Sequence, residues 1–326
     1  MVNRIGMSKL AILIPTRNRP NQTSELLRSI TQSSLRPEQV IVVASGQDIS
    51  DVIKNYESIL PLTYIFTDIR GQIAQKKIGV AHINANIDWC LFLDDDLLLD
   101  KDTIKNAFFA ASSYPKSNII GIGLSLTPTS RYLNFSPFTK KLLKFFKLSA
   151  LEPGRVLTSG HATSYLEQEK VIETQWLNGA SVWKTDYVRL YGQGLPSTPY
   201  AACEDLIFSY PLSKCGTLVY APEARLRFQS TSMTDYNNFK VIQSASFWRF
   251  YFVSNYPEFS IKWFFISQFV RMIFAVKDTK KNRLKLFLQL CHLNFVLLKS
   301  YFLSIQPLEL LIAIESQDSS WAQNSN

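Results

Sequence analysis

Between residues 9 and 126, five short apolar runs are separated by longer mixed segments: Leu10–Ile14, Val40–Val43, Leu62–Phe66, Trp89–Leu93 and Ile119–Leu124. Runs of four to eight apolar residues without polar alternation suit strands buried on both faces. Gln22–Ile30 places Leu26, Leu27 and Ile30 on one helical face, Ile73–Ile83 reads as a second helix, and Asp102 opens a third that ends near Ser113. Strands joined through helices require right-handed crossovers and a mostly parallel sheet. The expected class is α/β, a Rossmann-like mixed sheet flanked by helices. Ligands of such sheets gather beyond the carboxyl ends of the strands.

The fourth run ends in Asp94-Asp95-Asp96, three carboxylates beside a buried strand. If the backbone stays extended there, Asp94 and Asp96 face one side and Asp95 the other. Hard carboxylate oxygens held together repel unless a cation relieves them, and Mn²⁺ or Mg²⁺ would leave coordination positions for phosphate oxygens. A solvated acidic turn ahead of the next helix is the plainer alternative.

Composition narrows the classes. A chain of 326 residues with 46% hydrophobic content can bury a sizeable core, and its net charge of +9 favours an anionic partner. Its four cysteines have no Cys-x-x-Cys spacing and its three histidines are dispersed, which argues against a zinc site and for a reducing compartment. The N-terminus offers no extended apolar signal region, so the expected location is cytoplasmic.

Several segments together resemble family 2 glycosyltransferases. Leu10–Arg19 is similar to that family's opening strand and Pro-Thr-x-Asn-Arg loop, and Gly71–Gly79 to its Gly-x-x-x-Ala-Arg-Asn-x-Gly segment. Leu177–Lys184 resembles the acceptor-side Gly-Ala strand, Glu204-Asp205 the Glu-Asp motif, and the block to Arg225 continues the pattern. The resemblance spans roughly residues 9 to 228 in the expected order. It implies a GT-A fold and an inverting, metal-dependent transfer from a nucleotide-diphospho-sugar to an acceptor hydroxyl.

Under that resemblance Asp205 is the general base and Glu204 a supporting carboxylate or acceptor contact. Asp96, assisted by Asp94, would hold Mn²⁺ or Mg²⁺ and stabilise the departing diphosphate. Pro15, Thr16, Arg17, Ser45, Asp68, Gln72, Lys76, Asp94 and Asp95 are the donor-binding candidates, and Asn178, Gly179 and Ala180 the acceptor-side ones. Each has a structural alternative. Glu204 and Asp205 can complement a helix N-terminus, Lys76 and Lys77 can form a solvated helix face, Arg17 can be a surface arginine, and Asp68 can cap a turn.

The chain departs from the family's pattern twice. Val43-Ala-Ser-Gly46 replaces the acidic segment after the second strand, leaving Ser45 or another group to substitute. Phe228 stands where a metal-binding His is often found, with Gln229 beside it as a weaker ligand. His161, in Ser159–Thr163, reads equally as an active-site-side loop residue or a plain turn.

The expected layout is a catalytic domain over 1–230 with an insertion at about 127–170, an amphipathic helical region over 231–315, and a polar tail over 316–326. In the insertion, Phe135, Phe138, Phe145 and Phe146 interleave with Lys140, Lys141, Lys144 and Lys147, a pattern that fits a basic amphipathic helix. From Phe239 to Glu315, ten Lys and Arg residues stand against four acids, among apolar segments too short or too interrupted to span a bilayer. These helices fit an anionic membrane surface, with packing against the catalytic domain as the alternative. The expectation is a peripheral protein on the inner face of the cell membrane, acting on a polyprenyl-linked or other saccharide acceptor in surface-polysaccharide synthesis.

Other classes fit less well. In a nucleic-acid-binding protein, Asp94–Asp96 and Glu204-Asp205 would repel the phosphate backbone, so no nucleic-acid partner is expected. A phosphotransferase would be expected to carry a Gly-x-x-x-x-Gly-Lys-Ser/Thr loop, and the sequence has none. A catalytically silent GT-A-fold scaffold and a basic lipid-binding protein stay open on sequence alone.

Overall fold

The structure is a computed structural model that describes residues 8–127, 137–149, 152–196, 198, 201–229, 239–279 and 282–317. Phe135, Lys280, Lys281 and the tail beyond 317 lie outside the described residues, as do the side chains of Phe138 and Lys140. The chain divides into two compact units. The first comprises Met1–Leu133, Ser164–Pro199 and Phe208–Ser232; the second comprises Asn134–Thr163, Tyr200–Ile207 and Met233–Asn326.

The first unit is built on β1 (Leu10–Arg17), β2 (Gln39–Ser45), β3 (Leu62–Thr67), β4 (Trp89–Phe92), β5 (Leu97–Leu99), β6 (Ile119–Thr127), β7 (Ile172–Thr174), β8 (Ser181–Lys184) and β9 (Thr217–Phe228). They form one sheet in the order β3-β2-β1-β4-β8-β6-β9-β5, with β7 also pairing β9. The block from β3 to β4 is wholly parallel. β8 runs antiparallel between β4 and β6, while β6 and β9 pair in parallel. This is the expected mixed, mostly parallel sheet of an α/β protein.

Its helices are α1 (Pro20–Thr31), α2 (Ser50–Lys54), α3 (Gln72–Ala81), α4 (Thr103–Ser113) and the short α6 (Thr185–Val188). Leu10 to Ile14 are all within 1% of full burial, as an apolar run covered on both faces requires. Leu26, Leu27 and Ile30 of α1 are fully buried on the same side, and Pro20 at the helix start has a fixed φ that suits it. Gly71 precedes α3 at φ 108°, a conformation that a side chain would strain. Asp102 does stand at the head of α4 but leaves the helix uncapped, because its carboxylate accepts the Ser34 hydroxyl at 2.7 Å.

The second unit contains α5 (Pro137–Phe145), α8 (Phe239–Ser254), α9 (Ile261–Asp278), α10 (Arg283–Phe302) and α11 (Pro307–Gln317). α7 (Glu204–Leu212) begins in this unit. Its core is aromatic: Phe247, Trp248, Phe250, Phe252 and Phe264 are essentially fully buried. α10 buries Leu286, Leu290, Leu293 and Leu297, one stripe at helical spacing. No helix among the described residues is long and apolar enough to cross a membrane.

On α11 the inward stripe Leu308, Leu311 and Glu315 places a carboxylate in the core, with both oxygens sealed and unpartnered among the described residues. Burial pushes its pKa up to about 7, opposed by Lys240. The folded state therefore holds a proton that the unfolded chain releases near pH 4.5, so unfolding free energy falls as pH rises through roughly 4.5 to 7. Glu315→Gln should remove that slope and exceed wild-type stability above pH 7 by on the order of 2 kcal/mol. Melting temperatures across pH check this, and parallel curves for the two proteins would rule it out.

Candidate active site

The acidic turn follows β4 directly, where the chain leaves the sheet before returning as β5 against β9. Asp95 points inward: Oδ2 accepts the Thr16 hydroxyl at 2.7 Å, and Oδ1 accepts Arg19 Nη1 at 2.8 Å. Asp94 and Asp96 are partly exposed, but the chain does not stay extended as the alternation assumed: it turns at Asp95-Asp96, with the Leu97 N–H on the Asp94 carbonyl at 3.3 Å. Arg19 also lies 3.6 Å from Asp96. Burial, then the neighbouring Asp94 and Asp95, push the Asp96 carboxyl up to about 6, with Arg19 opposing. Asp95 is also raised, chiefly by burial, and Arg19 is its strongest counterweight.

Asp94 Oδ1 accepts Gln72 Nε2 at 2.8 Å, so the first residue of α3 reaches the acidic turn. A Cβ on Gly179 would sit 3.5 Å from Asp94 Oδ2, which puts the Asn178-Gly179-Ala180 segment alongside the same carboxylate. Asn178 is buried, with Nδ2 on the Leu124 carbonyl and a sealed, unpartnered Oδ1. Two strands over, the register aligns Arg17 with Ser45 and Ser45 with Thr67, while Pro15 pairs with Val43 one step in. The Ser45 hydroxyl and Arg17 Nε are both buried without partners among the described residues. Burial, then Arg70, lower the Arg17 pKa. Asp68 follows β3 and is exposed.

Lys76 is placed differently from either reading of the sequence. It is 1% exposed, with its ammonium 5.3 Å from the Phe92 ring centre and 5.6 Å from that of Tyr191. Two aromatic faces hold the cation in the core. Lys77, its neighbour, is exposed.

Three further residues hold the site: Gln75, which the sequence did not single out, Arg19, which entered only as the end of the Pro-Thr-x-Asn-Arg loop, and Gln229, read there as a weaker ligand. Gln75 Nε2 bonds the carbonyls of Thr16 and Val43 at 2.7 and 2.9 Å, tying β1 and β2 together near their ends. Arg19 is the counter-ion of the acidic turn. Gln229 donates from Nε2 to the carbonyls of Gln22 and Asp95 at 2.8 and 3.0 Å, and its own N–H reaches the Asp96 carbonyl at 2.8 Å. Gln229 is thus a backbone brace for the turn, not a side-chain ligand directed at it. Phe228 pairs with Leu97 and is 46% exposed, so no imidazole reaches the turn from that position.

The donor set fits a divalent cation only in part. Asp94 and Asp96 offer hard oxygens, but among the described residues no three His, Cys, Asp or Glu side chains converge on one point. Two carboxylates completed by water and substrate phosphate are a common Mg²⁺-type arrangement.

Glu204 and Asp205 open α7 in the second unit. Glu204 is 7% exposed, and Asp205 Oδ1 accepts the N–H of Leu206 at 2.8 Å. Acids in a first turn favour the helix dipole, so the helix-terminus role is realised here whatever else the pair does.

Residues 11–165 match the model of Glycosyl transferase family 2. This segment belongs to the family 2 glycosyltransferases. No curated protein matches the chain. Among solved structures, the chain is similar to the mannosyltransferase PcManGT of Pyrobaculum calidifontis in complex with GDP-Man and Mn²⁺. That likeness has a TM-score of 0.52 at 13% identity over 95% of this chain and 88% of the other. It shows the shared GT-A fold. S. aureus TarS 1-349 in complex with UDP-GlcNAc aligns at 13% identity and TM-score 0.49 over 86% and 79% of the two chains. Against the longer S. aureus TarS the TM-score is 0.45 at 14% identity, and the alignment covers 73% of this chain and 39% of that one.

Proposed function

We propose that the protein transfers a sugar, with inversion, from a nucleotide-diphospho-sugar to a hydroxyl of a lipid-linked saccharide in surface-polysaccharide synthesis. The observation that carries this reading is the acidic turn. Asp94 and Asp96 face outward beyond the carboxyl end of β4, and Gln72, from α3, and Gly179, from the acceptor-side segment, lie against Asp94. Asp96 and Asp94 would hold Mn²⁺ or Mg²⁺, which neutralises charge gathering on the leaving diphosphate. Arg17 and Ser45, aligned at the ends of β1 and β2 with unpartnered polar atoms, supply donors for the nucleotide. Asp205 would take the proton of the attacking hydroxyl, with Glu204 beside it.

Binding of UDP-, dTDP- and GDP-sugars, each with and without Mn²⁺, tests the donor half by calorimetry. One donor bound in a metal-dependent way supports the reading; a folded protein that binds none would end it.

The same proposal places the protein on the inner face of the cell membrane. Phe269, Leu284, Leu288, Phe295 and Phe302 of α9 and α10 are each more than half exposed, although α10 already buries a complete leucine stripe. Apolar side chains left outward among Arg271, Arg283, Lys285 and Lys299 suit an anionic lipid surface. Binding to vesicles containing phosphatidylglycerol should be strong and salt-sensitive, and Phe295→Ser with Phe302→Ser should weaken it by about tenfold. Undiminished sedimentation of the double variant would remove these helices from the membrane contact.

A further inference from the structure

Arg249, on α8, carries a charge with no ion-pair partner among the described residues. Its Nε and Nη1 are sealed from solvent with no hydrogen-bond partner among them. Its remaining nitrogen, Nη2, points at Cys203 Sγ from 3.9 Å, a weak contact. A guanidinium keeps its charge, so burying its N–H groups without an anion is unfavourable. Such a group is retained when a ligand supplies the missing partner.

The surroundings are built to hold that group. The hairpin closed by the Val156–Ala162 bridge turns through Gly160, at φ 73°, which lies so close to α8 that a Cβ there would sit 2.2 Å from a Val253 methyl. Only glycine allows this approach, and it seats the next residue, His161, against the helix. His161 Nδ1 is likewise sealed and unpartnered. Burial, then the Arg249 charge, hold its imidazole neutral, so in the Nδ1–H tautomer it is a second donor. On the third side Cys203 sits at φ 65° immediately before α7, and Glu204 and Asp205 follow it directly.

We propose that Arg249, His161 and Cys203 form a binding site for a phosphate group of the acceptor. A planar guanidinium with free N–H groups on both edges, joined by a neutral imidazole donor, matches tetrahedral oxyanion geometry. Glu204 and Asp205 do not neutralise Arg249 by pairing with it; they repel the anion if it moves toward α7, which confines it to the arginine side. The assignment rests on Asp205 acting as the base. The acceptor's reacting hydroxyl then lies at Asp205 while its phosphate lies beyond Cys203, as in a sugar phosphate or a sugar on a lipid diphosphate.

Thermal shift and calorimetry on the full chain in EDTA, with inorganic pyrophosphate, geranyl diphosphate and geraniol, test it. Both diphosphates should stabilise wild type, the ester more than pyrophosphate, and geraniol should not. Arg249→Met should abolish the response while melting no lower than wild type without ligand, since it removes an unpaired charge. Arg249→Lys, which keeps the charge but not the fork, should bind at least about tenfold more weakly. It decides the matter if the Met variant does not fold. Asp96→Asn should respond as wild type does, which separates this site from the donor reading. A silent wild type, or an Arg249 variant responding fully, would overturn the site. Equal affinity for pyrophosphate and ester would overturn its assignment to the acceptor.

Discussion

Asp205→Asn should leave nucleotide-sugar binding unchanged and lower transfer by about 10²- to 10⁴-fold, the usual worth of a positioned general base. The substitution is close to isosteric. The amide oxygen can still accept the Leu206 N–H that Asp205 Oδ1 now takes at 2.8 Å, so the start of α7 should survive. What disappears is the basic site alone. Helix-terminus complementation predicts a different result: a loss of stability of about 0.3–1 kcal/mol and transfer falling only as far as folded protein falls. Glu204→Gln separates the neighbours. As a support it should reduce transfer less than Asp205→Asn, because it would position the acceptor without receiving its proton. Single-turnover transfer rates, with donor affinity measured in parallel, distinguish the cases. Retention of most activity in Asp205→Asn would move the base elsewhere.

The parts of the fold that could be read in advance were those whose signal is local. Leu10–Ile14 and Val40–Val43 are apolar without alternation because both sheet faces are covered, and that alone indicates parallel neighbours. Leu97–Leu99 was not legible as a strand. It is three residues long and pairs with β9, more than 120 positions away, so nothing in its own sequence records the partner.

The site divides the same way. The position of Asp94, Asp95 and Asp96 at the end of a strand was readable, although the chain turns there, with the Leu97 N–H on the Asp94 carbonyl, instead of staying extended. Lys76 was not: its burial depends on Phe92 and on Tyr191, a residue from a distant segment. Gln229 looked like a poor substitute for a histidine because sequence gives residue type, whereas its role comes from carbonyls of Gln22 and Asp95 that only the fold brings to it. Arg249 was one cation among the ten of its region, and His161 read equally as an active-site-side loop residue or a plain turn. An unpaired guanidinium becomes conspicuous only when the fold sets the described side chains around it.

Asp96→Asn carries the other large effect, and its two consequences run in opposite directions. In the metal-free protein Asp96 shares a short turn with Asp94 and Asp95, with Arg19 as the cation shown beside them at 2.8 Å from Asp95 and 3.6 Å from Asp96. Three carboxylates against one guanidinium leave net repulsion, so removing the Asp96 charge should leave the melting temperature unchanged or slightly higher. With donor and Mn²⁺ present the sign reverses. Losing an outer-shell partner typically costs about 10- to 100-fold in metal affinity, and a direct carboxylate ligand should cost at least that much in metal-dependent donor binding. Asp95→Asn makes the contrast. Its carboxylate is committed to Thr16 and Arg19, so that variant should destabilise the turn with or without metal. Melting curves of both variants, with EDTA and with Mn²⁺ plus donor, read the two patterns. If Asp96→Asn kept the wild-type increment from Mn²⁺ and donor, Asp96 would not be the metal's carboxylate, and Asp94 with Gln72 would become the place to look.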